Sequence, residues 1–171
     1  MISVTTQLQV DGVKGRNIVA FLVHCDDEKY QHWWPGTHLQ LHLVKGSPGD
    51  IGSLIYMDEF VGKHRVRFTG EVVEHMPGRK LVIQMKSLVR LPVKLVLAFD
   101  DNVDGVEVTH SLQFGYGGIG RIFDPLIRRL VSSGFSADME EHVRTEFRKL
   151  ATMLRESCNK SETASQAPKC A

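Results

Sequence analysis

Polar side chains that could do chemistry occur inside apolar patterns at two places in the chain. His110 lies between Val108 and Leu112 in a stretch where every second residue is apolar, so its side chain is expected to point to the same side as theirs. An interior imidazole can orient a ligand or transfer a proton near neutral pH. It can also be a core histidine that is hydrogen-bonded to a neighbour, and the sequence leaves both interpretations open.

The second place is the stretch around Tyr56 and Asp58, where the alternation of apolar and polar residues is imperfect. If Tyr56 shares a face with Leu54, its hydroxyl group lies in the interior and Asp58 follows on the same face. A carboxyl group in apolar surroundings has a raised pKa and can serve as an acid or a base. The alternative, which the pattern favours, is an exposed acid near the end of a strand. His110, Tyr56 and Asp58 are thus the candidate catalytic residues, and the sequence assigns no reaction to them.

The histidines show no spacing that is typical of a metal site. His38 and His42 fall on one face of a predicted strand but about 13 Å apart along it, which is too far to bind one ion. We expect both side chains to face solvent or a neighbouring strand. The others are scattered along the chain: His32, His64, His75 and His142. Because the three cysteines form no Cys-x-x-Cys pair either, the sequence predicts no metal ion and no other cofactor.

The elements that carry these residues are mainly strands. Alternation from Ile2 to Val10 predicts a first strand, and short apolar runs within 17–34 predict two short helices. About six antiparallel strands follow within 37–114. From Ile119 to Ser157 apolar residues recur every three or four positions, which predicts a long helix in two pieces with a break at 132–134. The predicted fold is α+β, with a curved antiparallel sheet of about seven strands around a long C-terminal helix.

The composition is that of a globular protein with little net charge. The 171 residues are 42% hydrophobic and 24% charged, with a net charge of +1, so there is no global argument for binding nucleic acid or an anionic membrane. No apolar run approaches the roughly 18 residues of a membrane span, and no signal peptide is expected. We expect a cytoplasmic protein with one domain over 1–157 and a polar, disordered tail over 158–171.

Particular residues within this order of elements resemble a known superfamily. They are the aromatic segment Tyr30–Pro35, which closes the second short helix, the predicted hairpin over 70–79, and the glycine-rich segment 117–120 before the last helix. The chain resembles the helix-grip (SRPBCC) superfamily, which includes START-like lipid-transfer domains, Bet v 1-like proteins and polyketide cyclase/dehydrases. The resemblance covers about residues 1–157. It implies a deep, mainly apolar cavity between the concave face of the sheet and the long helix.

The candidates for lining this cavity are residues on the predicted inner faces of the strands and on the apolar stripe of the helix. Trp33, in the aromatic segment, is expected either at the cavity mouth or in the core. The full set of predicted ligand-binding residues is Trp33, Leu54, Tyr56, Phe68, Leu81, Ile83, Met85, Leu97, Phe99, Val108, His110, Leu112, Phe123, Ile127, Met139 and Val143.

Three functions are compatible with this fold. The first is binding, transport or sequestration of a hydrophobic or amphipathic small molecule or lipid, with His110 or Tyr56 fixing its orientation. The second is an enzyme of the polyketide cyclase/dehydrase type, which would use an acid or base inside the cavity. The third is a protein-interaction module. We expect no nucleic acid partner and no stable membrane insertion. A homodimer is compatible with the sequence. The sequence does not decide whether the protein catalyses a reaction.

Overall fold

The computed structural model of the protein describes residues 2–86, 90–115 and 133–165. Strand β1 (Ile2–Asp11) is followed by two short helices, α1 (Gly15–Val23) and α2 (Asp27–Trp33). Six strands come next: β2 (His38–Lys45), β3 (Leu54–Val61), β4 (His64–Met76), β5 (Lys80–Lys86), β6 (Arg90–Asp101) and β7 (Gly105–Phe114). The long helix α3 (Ser133–Ser165) completes the described part.

The seven strands form one curved antiparallel sheet in the order β1-β7-β6-β5-β4-β3-β2. Consecutive strands from β2 to β7 pair with one another. Strand β1 is the edge strand next to β7, and the two pair without interruption from Ile2 opposite Phe114 to Asp11 opposite Gly105. Because a twisted sheet of this size curls, it presents a concave face to α3. The predicted helix-grip α+β fold is confirmed.

Local sequence accounts for the placement of the short helices. The Asp26 side chain caps α2 by accepting a hydrogen bond from the backbone N–H of Lys29 at 2.9 Å, as expected for an N-cap aspartate. Helix α1 begins at Gly15, where a side chain would not fit. A Cβ there would lie 2.3 Å from the carbonyl oxygen of Gly78 and 2.8 Å from Cβ of Phe99. The missing side chain thus lets α1 pack directly against the β4–β5 turn and β6.

Helix α3 buries one stripe against the sheet, formed by Met139, Val143, Phe147 and Leu150. The four residues are spaced by four, four and three positions, so they lie on one face of the helix. Val143 and Leu150 are fully buried, and this stripe was the main sequence signal for the helix. It anchors α3 and so fixes the positions of the polar residues on the neighbouring part of the helix surface.

A β-bulge in β2 changes which side chains point inward. His38 pairs with Glu59 of β3, whereas Gln40 pairs with Asp58, so two residues of β2 advance against one of β3. The side chain of His38 is consequently fully buried, whereas that of His42 is 40% exposed. The expectation that both histidines lie on one outward face of the strand is therefore wrong for His38, whose side chain is buried and faces Glu59 of the neighbouring strand β3. The physical reason is the bulge, which interrupts the strict alternation on which the expectation depended.

Some predicted features lie outside the described residues. These are the first piece of the predicted helical arm, including Phe123 and Ile127, and the glycine-rich segment 117–120. Of the predicted break, Ser132 is outside the described part, and Ser133 and Gly134 begin α3. No helix among the described residues is long and apolar enough to cross a membrane.

Candidate functional site

A cavity lies between the concave face of the sheet, the short helices and α3. Its volume is about 80 Å³, several times the roughly 10–15 Å³ that a single water molecule needs. The side chains that line the cavity therefore leave part of it empty. Its apolar wall in the described part of the chain consists of Leu22, Val23, Trp33, Leu41, Leu43, Ile55, Met57, Val66, Phe68, Val72, Leu81, Ile83, Met85, Leu95, Leu97, Leu112, Met139 and Phe147.

Four ionisable residues that line this cavity or adjoin it form a compact group, which we call the buried cluster. Its members are His38, Glu59, His142 and Glu146. All four are buried or nearly so, and each offers a donor atom that lies within 4.8 Å of the donor atoms of the others. Glu59, His142 and Glu146 contribute to the cavity wall, together with the neighbouring polar residues Tyr30 and His110.

The distances within the buried cluster are regular. Nε2 of His38 lies 3.7 Å from Oε2 of Glu59 and 3.6 Å from Oε1 of Glu146. Nε2 of His142 lies 3.6 Å from Oε2 of Glu59 and 3.9 Å from Oε2 of Glu146. Each imidazole nitrogen thus faces both carboxylates at distances longer than those of good N–H···O hydrogen bonds.

Three elements bring these residues together. The bulge in β2 turns His38 inward opposite Glu59 of the adjacent strand β3. His142 and Glu146 are four residues apart on α3, so they share one face of the helix, next to the stripe that packs on the sheet. The buried cluster therefore joins the edge of the sheet to the long helix and exists only when the two are packed together.

Burial and mutual proximity shift the pKa values of the cluster in opposite directions. Burial, with the negative charge of Glu59 nearby, raises the pKa of Glu146 to about 8. Burial lowers the pKa of His38 to about 4, against the attraction of Glu59. Burial alone would lower the pKa of His142, but the carboxylates of Glu59 and Glu146 outweigh it and raise that pKa. Glu59 has a lowered pKa because His142, Tyr30 and His38 together outweigh the opposing effect of burial.

The donor set and its orphaned atoms fit a divalent metal ion. Nε2 of His38 and Nε2 of His142 are both buried without a hydrogen-bond partner among the described residues. Two imidazole nitrogens and two carboxylates are ligands that Zn²⁺ and other first-row divalent ions accept. In a tetrahedral site with bonds of about 2.1 Å, neighbouring ligand atoms are about 3.4 Å apart. The separations of 3.6–3.9 Å lie close to that value, so small side-chain movements would complete such a site.

Aromatic residues of the segment that ends α2 enclose the buried cluster. The ring of Trp34 stacks on His142 at 4.9 Å between centroids, and the ammonium group of Lys149 lies 5.6 Å from the Trp34 ring. The indole N–H of Trp33 donates a hydrogen bond of 2.9 Å to the backbone carbonyl of Glu146. These contacts hold this part of α3 against the end of α2, and they shield the cluster from bulk water.

His110 of β7 also faces this end of the cavity. It is 7% exposed, and its Nδ1 is buried without a hydrogen-bond partner in the described part of the structure. Burial lowers the pKa of His110 to about 4, so the imidazole is neutral at physiological pH. His110 is therefore an imidazole on the cavity wall with an unused polar atom. The alternative, a core histidine with satisfied hydrogen bonds, does not fit, because Nδ1 has no partner among the described residues.

Tyr56 and Asp58, the other two candidates, are not among the cavity-wall residues that the structure describes. On β3 the wall residues are Ile55, Met57 and Glu59, so the inner face of this strand is offset by one residue from the predicted one. Asp58 is buried elsewhere and accepts two hydrogen bonds from Arg65, at 2.9 and 2.7 Å. These hydrogen bonds from Arg65 lower the pKa of Asp58, whereas the proposed cavity acid required a raised pKa. The assignment of both residues to the cavity was wrong, because the imperfect alternation gave no reliable phase.

The structure separates the remaining predicted wall residues into two groups. Those on the described cavity wall are Trp33, Phe68, Leu81, Ile83, Met85, Leu97, His110, Leu112 and Met139. Those placed elsewhere are Leu54, partly buried on β3, and Phe99, Val108 and Val143, which are buried in the core beside the cavity. The strand phases of β4, β5 and β7 thus agree with their clean alternation, and Leu54 deviates because the inner face of β3 is offset by one residue.

Sequence reasoning proposed none of the four cluster residues as a site candidate. It treated His38 as outward-facing and His142 as one of several scattered histidines. The prediction of no metal site was based on the distance between His38 and His42 along one strand. That distance does not bear on ligands that come from two strands and a helix. One local signal was present in the sequence. His142 and Glu146 form a His-x-x-x-Glu pair on the strongest predicted helix, and such a pair places two ligands on one helical face.

Comparisons with known proteins define the fold but not the activity. No protein-family model matches the chain, and no curated protein matches it in sequence. Solved structures do match. Ara h 8.0201 aligns with a TM-score of 0.61 at 11% identity, over 91% of this chain and 99% of the other. TTHA0849 from Thermus thermophilus gives 0.61 at 15% identity, over 91% and 99%. The KanY protein gives 0.61 at 8% identity, over 90% and 97%.

These likenesses span nearly the whole of each solved chain. The protein therefore shares the helix-grip fold of these solved structures, as the aromatic segment and the order of elements had suggested.

Proposed function

We propose that this protein is a metal-dependent enzyme that binds a largely apolar small molecule in the cavity and acts on an oxygen-bearing group of that molecule at the polar end. The observation that carries this proposal is the buried cluster, which sets two imidazoles and two carboxylates beside an open apolar space. Burying several ionisable groups together is costly unless they are paired or bind a cation. An ion at their centre would satisfy both orphaned imidazole nitrogens at once.

The reaction class that fits best is hydrolysis at a carbonyl group. A divalent ion held here, with a fifth coordination position left for water, would supply Lewis acidity and lower the pKa of that water. The protein's own residues would do the rest. The buried cluster would hold the ion at the edge of the cavity, and the apolar wall would exclude bulk water and orient the substrate. The neutral imidazole of His110, with its unused Nδ1, would accept a hydrogen bond or a proton from the reacting group.

The cavity wall also limits the chemistry of the ligand. Among the described wall residues there is no lysine or arginine, and the polar groups are confined to the end that holds the buried cluster. A carboxylate or phosphate elsewhere on the ligand would therefore be desolvated without a partner. The expected substrate is a neutral or weakly acidic apolar compound with its oxygen at one end.

Simple carriage of a hydrophobic molecule is the second candidate. It is favoured by the mostly apolar wall and by the fold shared with Ara h 8.0201 and the other solved structures. In a carrier, however, two buried carboxylates facing two orphaned imidazoles would have no role. A cyclase or dehydrase would also need converging titratable groups, and the cluster would supply them. A protein-interaction module would use neither the open cavity nor the cluster.

Metal content and chelator-sensitive activity test the proposal. The purified full-length chain, its His38→Gln variant and a His42→Gln control are stripped with a chelator, reloaded with Zn²⁺, Mn²⁺ or Co²⁺ and analysed for bound metal. His42 is a suitable control because it lies on the same strand, with its side chain half exposed and paired with Asp27 at 2.8 Å. We expect about one ion per chain in the parent and the control and a large loss in His38→Gln.

Hydrolysis of neutral aryl esters such as 4-nitrophenyl acetate is then followed before and after metal removal. Activity that disappears with the ion and returns on reloading supports the proposed enzyme. Stoichiometric metal without any ester hydrolysis would refute the reaction class but keep the metal centre. Failure of the parent chain to bind any of the three ions would refute the metal centre itself.

A further inference from the structure

Tyr30 of α2 contacts two members of the buried cluster in three ways. Its hydroxyl group donates a hydrogen bond to Oε2 of Glu59 at 2.5 Å. Its backbone carbonyl oxygen accepts a hydrogen bond from Nδ1 of His38 at 3.3 Å. Its ring stacks on the imidazole of His38 with 3.9 Å between centroids and an interplanar angle of 7°. Tyr30 is fully buried, so none of these contacts competes with bulk water.

The contacts with His38 fix how its imidazole is presented. Because a carbonyl oxygen can only accept, the hydrogen bond to Tyr30 places a proton on Nδ1 of His38. The neutral ring then carries its lone pair on Nε2, the atom that faces Glu59 and Glu146. The parallel stack with the Tyr30 ring restricts rotation of the imidazole out of this plane. One residue thus sets both the tautomer and the orientation of a candidate ligand.

The hydroxyl group of Tyr30 acts on the facing carboxylate. It holds Oε2 of Glu59, the same oxygen that lies 3.7 Å from Nε2 of His38 and 3.6 Å from Nε2 of His142. A carboxylate oxygen can accept one hydrogen bond and still offer a second lone pair to a cation. Residues that orient metal ligands in this way typically change metal affinity about 10–100-fold when they are removed.

We propose that Tyr30 is a positioning residue of the metal centre, which holds Glu59 and His38 in the geometry that an ion requires. This inference rests on the proposed metal site and adds to it a residue that would not itself bind the ion. Tyr30 also contributes to the cavity wall, so a bound ligand would pack beside the group that holds the cluster in place.

Tyr30→Phe tests the role of the hydroxyl group, because it keeps the ring, the stack and the backbone carbonyl. Tyr56→Phe is the matched control, since Tyr56 stands near another histidine, His42, with ring centroids 5.4 Å apart, away from the cluster. Zn²⁺ and Co²⁺ affinities of the full chain are measured by competition with a chromophoric chelator, and the visible spectrum of the Co²⁺ form is recorded. Tyr30→Phe should bind both ions about 10–100-fold more weakly and shift the Co²⁺ bands, whereas Tyr56→Phe should match the parent.

A second pair of variants tests the same hydrogen bond from the side of its acceptor, Glu59. Glu59→Asp withdraws the carboxylate from the Tyr30 hydroxyl group by one methylene and should alter the Co²⁺ spectrum in the same direction. In a Glu59→Gln background, Tyr30→Phe should cause no further loss of Co²⁺ affinity, because the hydroxyl group acts through that carboxylate.

The outcomes separate this inference from the metal site on which it rests. If the parent chain binds no Co²⁺ or Zn²⁺, both fail. If the parent binds the ions but Tyr30→Phe binds them within about twofold and with an unchanged Co²⁺ spectrum, only the role of Tyr30 is overturned. A Tyr30→Phe variant that loses thermal stability while keeping parental affinity and spectrum has the same consequence.

Discussion

Replacing Glu146 with glutamine should stabilise the metal-free protein at neutral and alkaline pH. Glu146 is buried beside the negatively charged Glu59, and these two effects raise its pKa from the usual 4.5 to about 8. The folded protein therefore holds the Glu146 proton more tightly than the unfolded chain does. Glutamine has nearly the same shape as the protonated acid and cannot ionise, so it removes the need to bury a second charge.

The sign and size of the effect follow from linkage between folding and proton binding. Because the folded-state pKa is raised, the stability associated with the Glu146 proton is fully present below about pH 4.5 and declines as the pH rises to about 8. The decline is about 1.4 kcal/mol per pH unit over that window, or about 3 kcal/mol at pH 7. The groups that face Glu146 and share this titration are Glu59, His38 and His142.

Urea unfolding between pH 5 and 8.5 in the presence of a chelator measures this difference. Glu146→Gln and the parent should be similarly stable at pH 5, and the variant should be more stable by a few kcal/mol at pH 8. The exposed Glu141→Gln on the same helix is the control and should follow the parent. Adding Zn²⁺ should reverse the order, because the ion binds more tightly to the chain that retains all four ligands and stabilises that chain more. A variant that is less stable than the metal-free parent at pH 8 would refute the reasoning.

Two further variants probe the site and its scaffold. His110→Leu should leave metal content unchanged but reduce turnover of aryl esters about 10²-fold or more, because it removes the polar group opposite the cluster; equal turnover in the variant and the parent would exclude His110 from the reaction. Asp58→Asn should lower the free energy of unfolding by about 1 kcal/mol, since it replaces a carboxylate that accepts two hydrogen bonds from Arg65, and solvent screens the ion pair because Arg65 is half exposed. Because the pKa of Asp58 is lowered in the folded protein, the stability that its carboxylate contributes is present above about pH 4 and is lost as the pH falls further. An acid unfolding curve that Asp58→Asn leaves unchanged would contradict this prediction.

The sequence by itself determined the architecture. Clean alternation along β1, β4, β5 and β7 specified their inner faces, since side chains on a regular strand alternate between its two sides. The apolar spacing from Met139 to Leu150 specified the buried stripe of α3 for the equivalent helical reason. These patterns, with the aromatic segment after the second short helix, were sufficient for the helix-grip fold and for a cavity with His110 on its wall.

Only the tertiary structure decided what the site contains. A one-residue bulge in β2 turned His38 inward, and a one-residue difference of phase on β3 exchanged Asp58 for Glu59. Neither is encoded in a local pattern, because a bulge depends on pairing with the neighbouring strand. The docking of α3 then brought His142 and Glu146 to residues more than 80 positions earlier in the chain. Long-range packing, which spacing along the sequence does not report, therefore assembles the cluster on which the proposed chemistry depends.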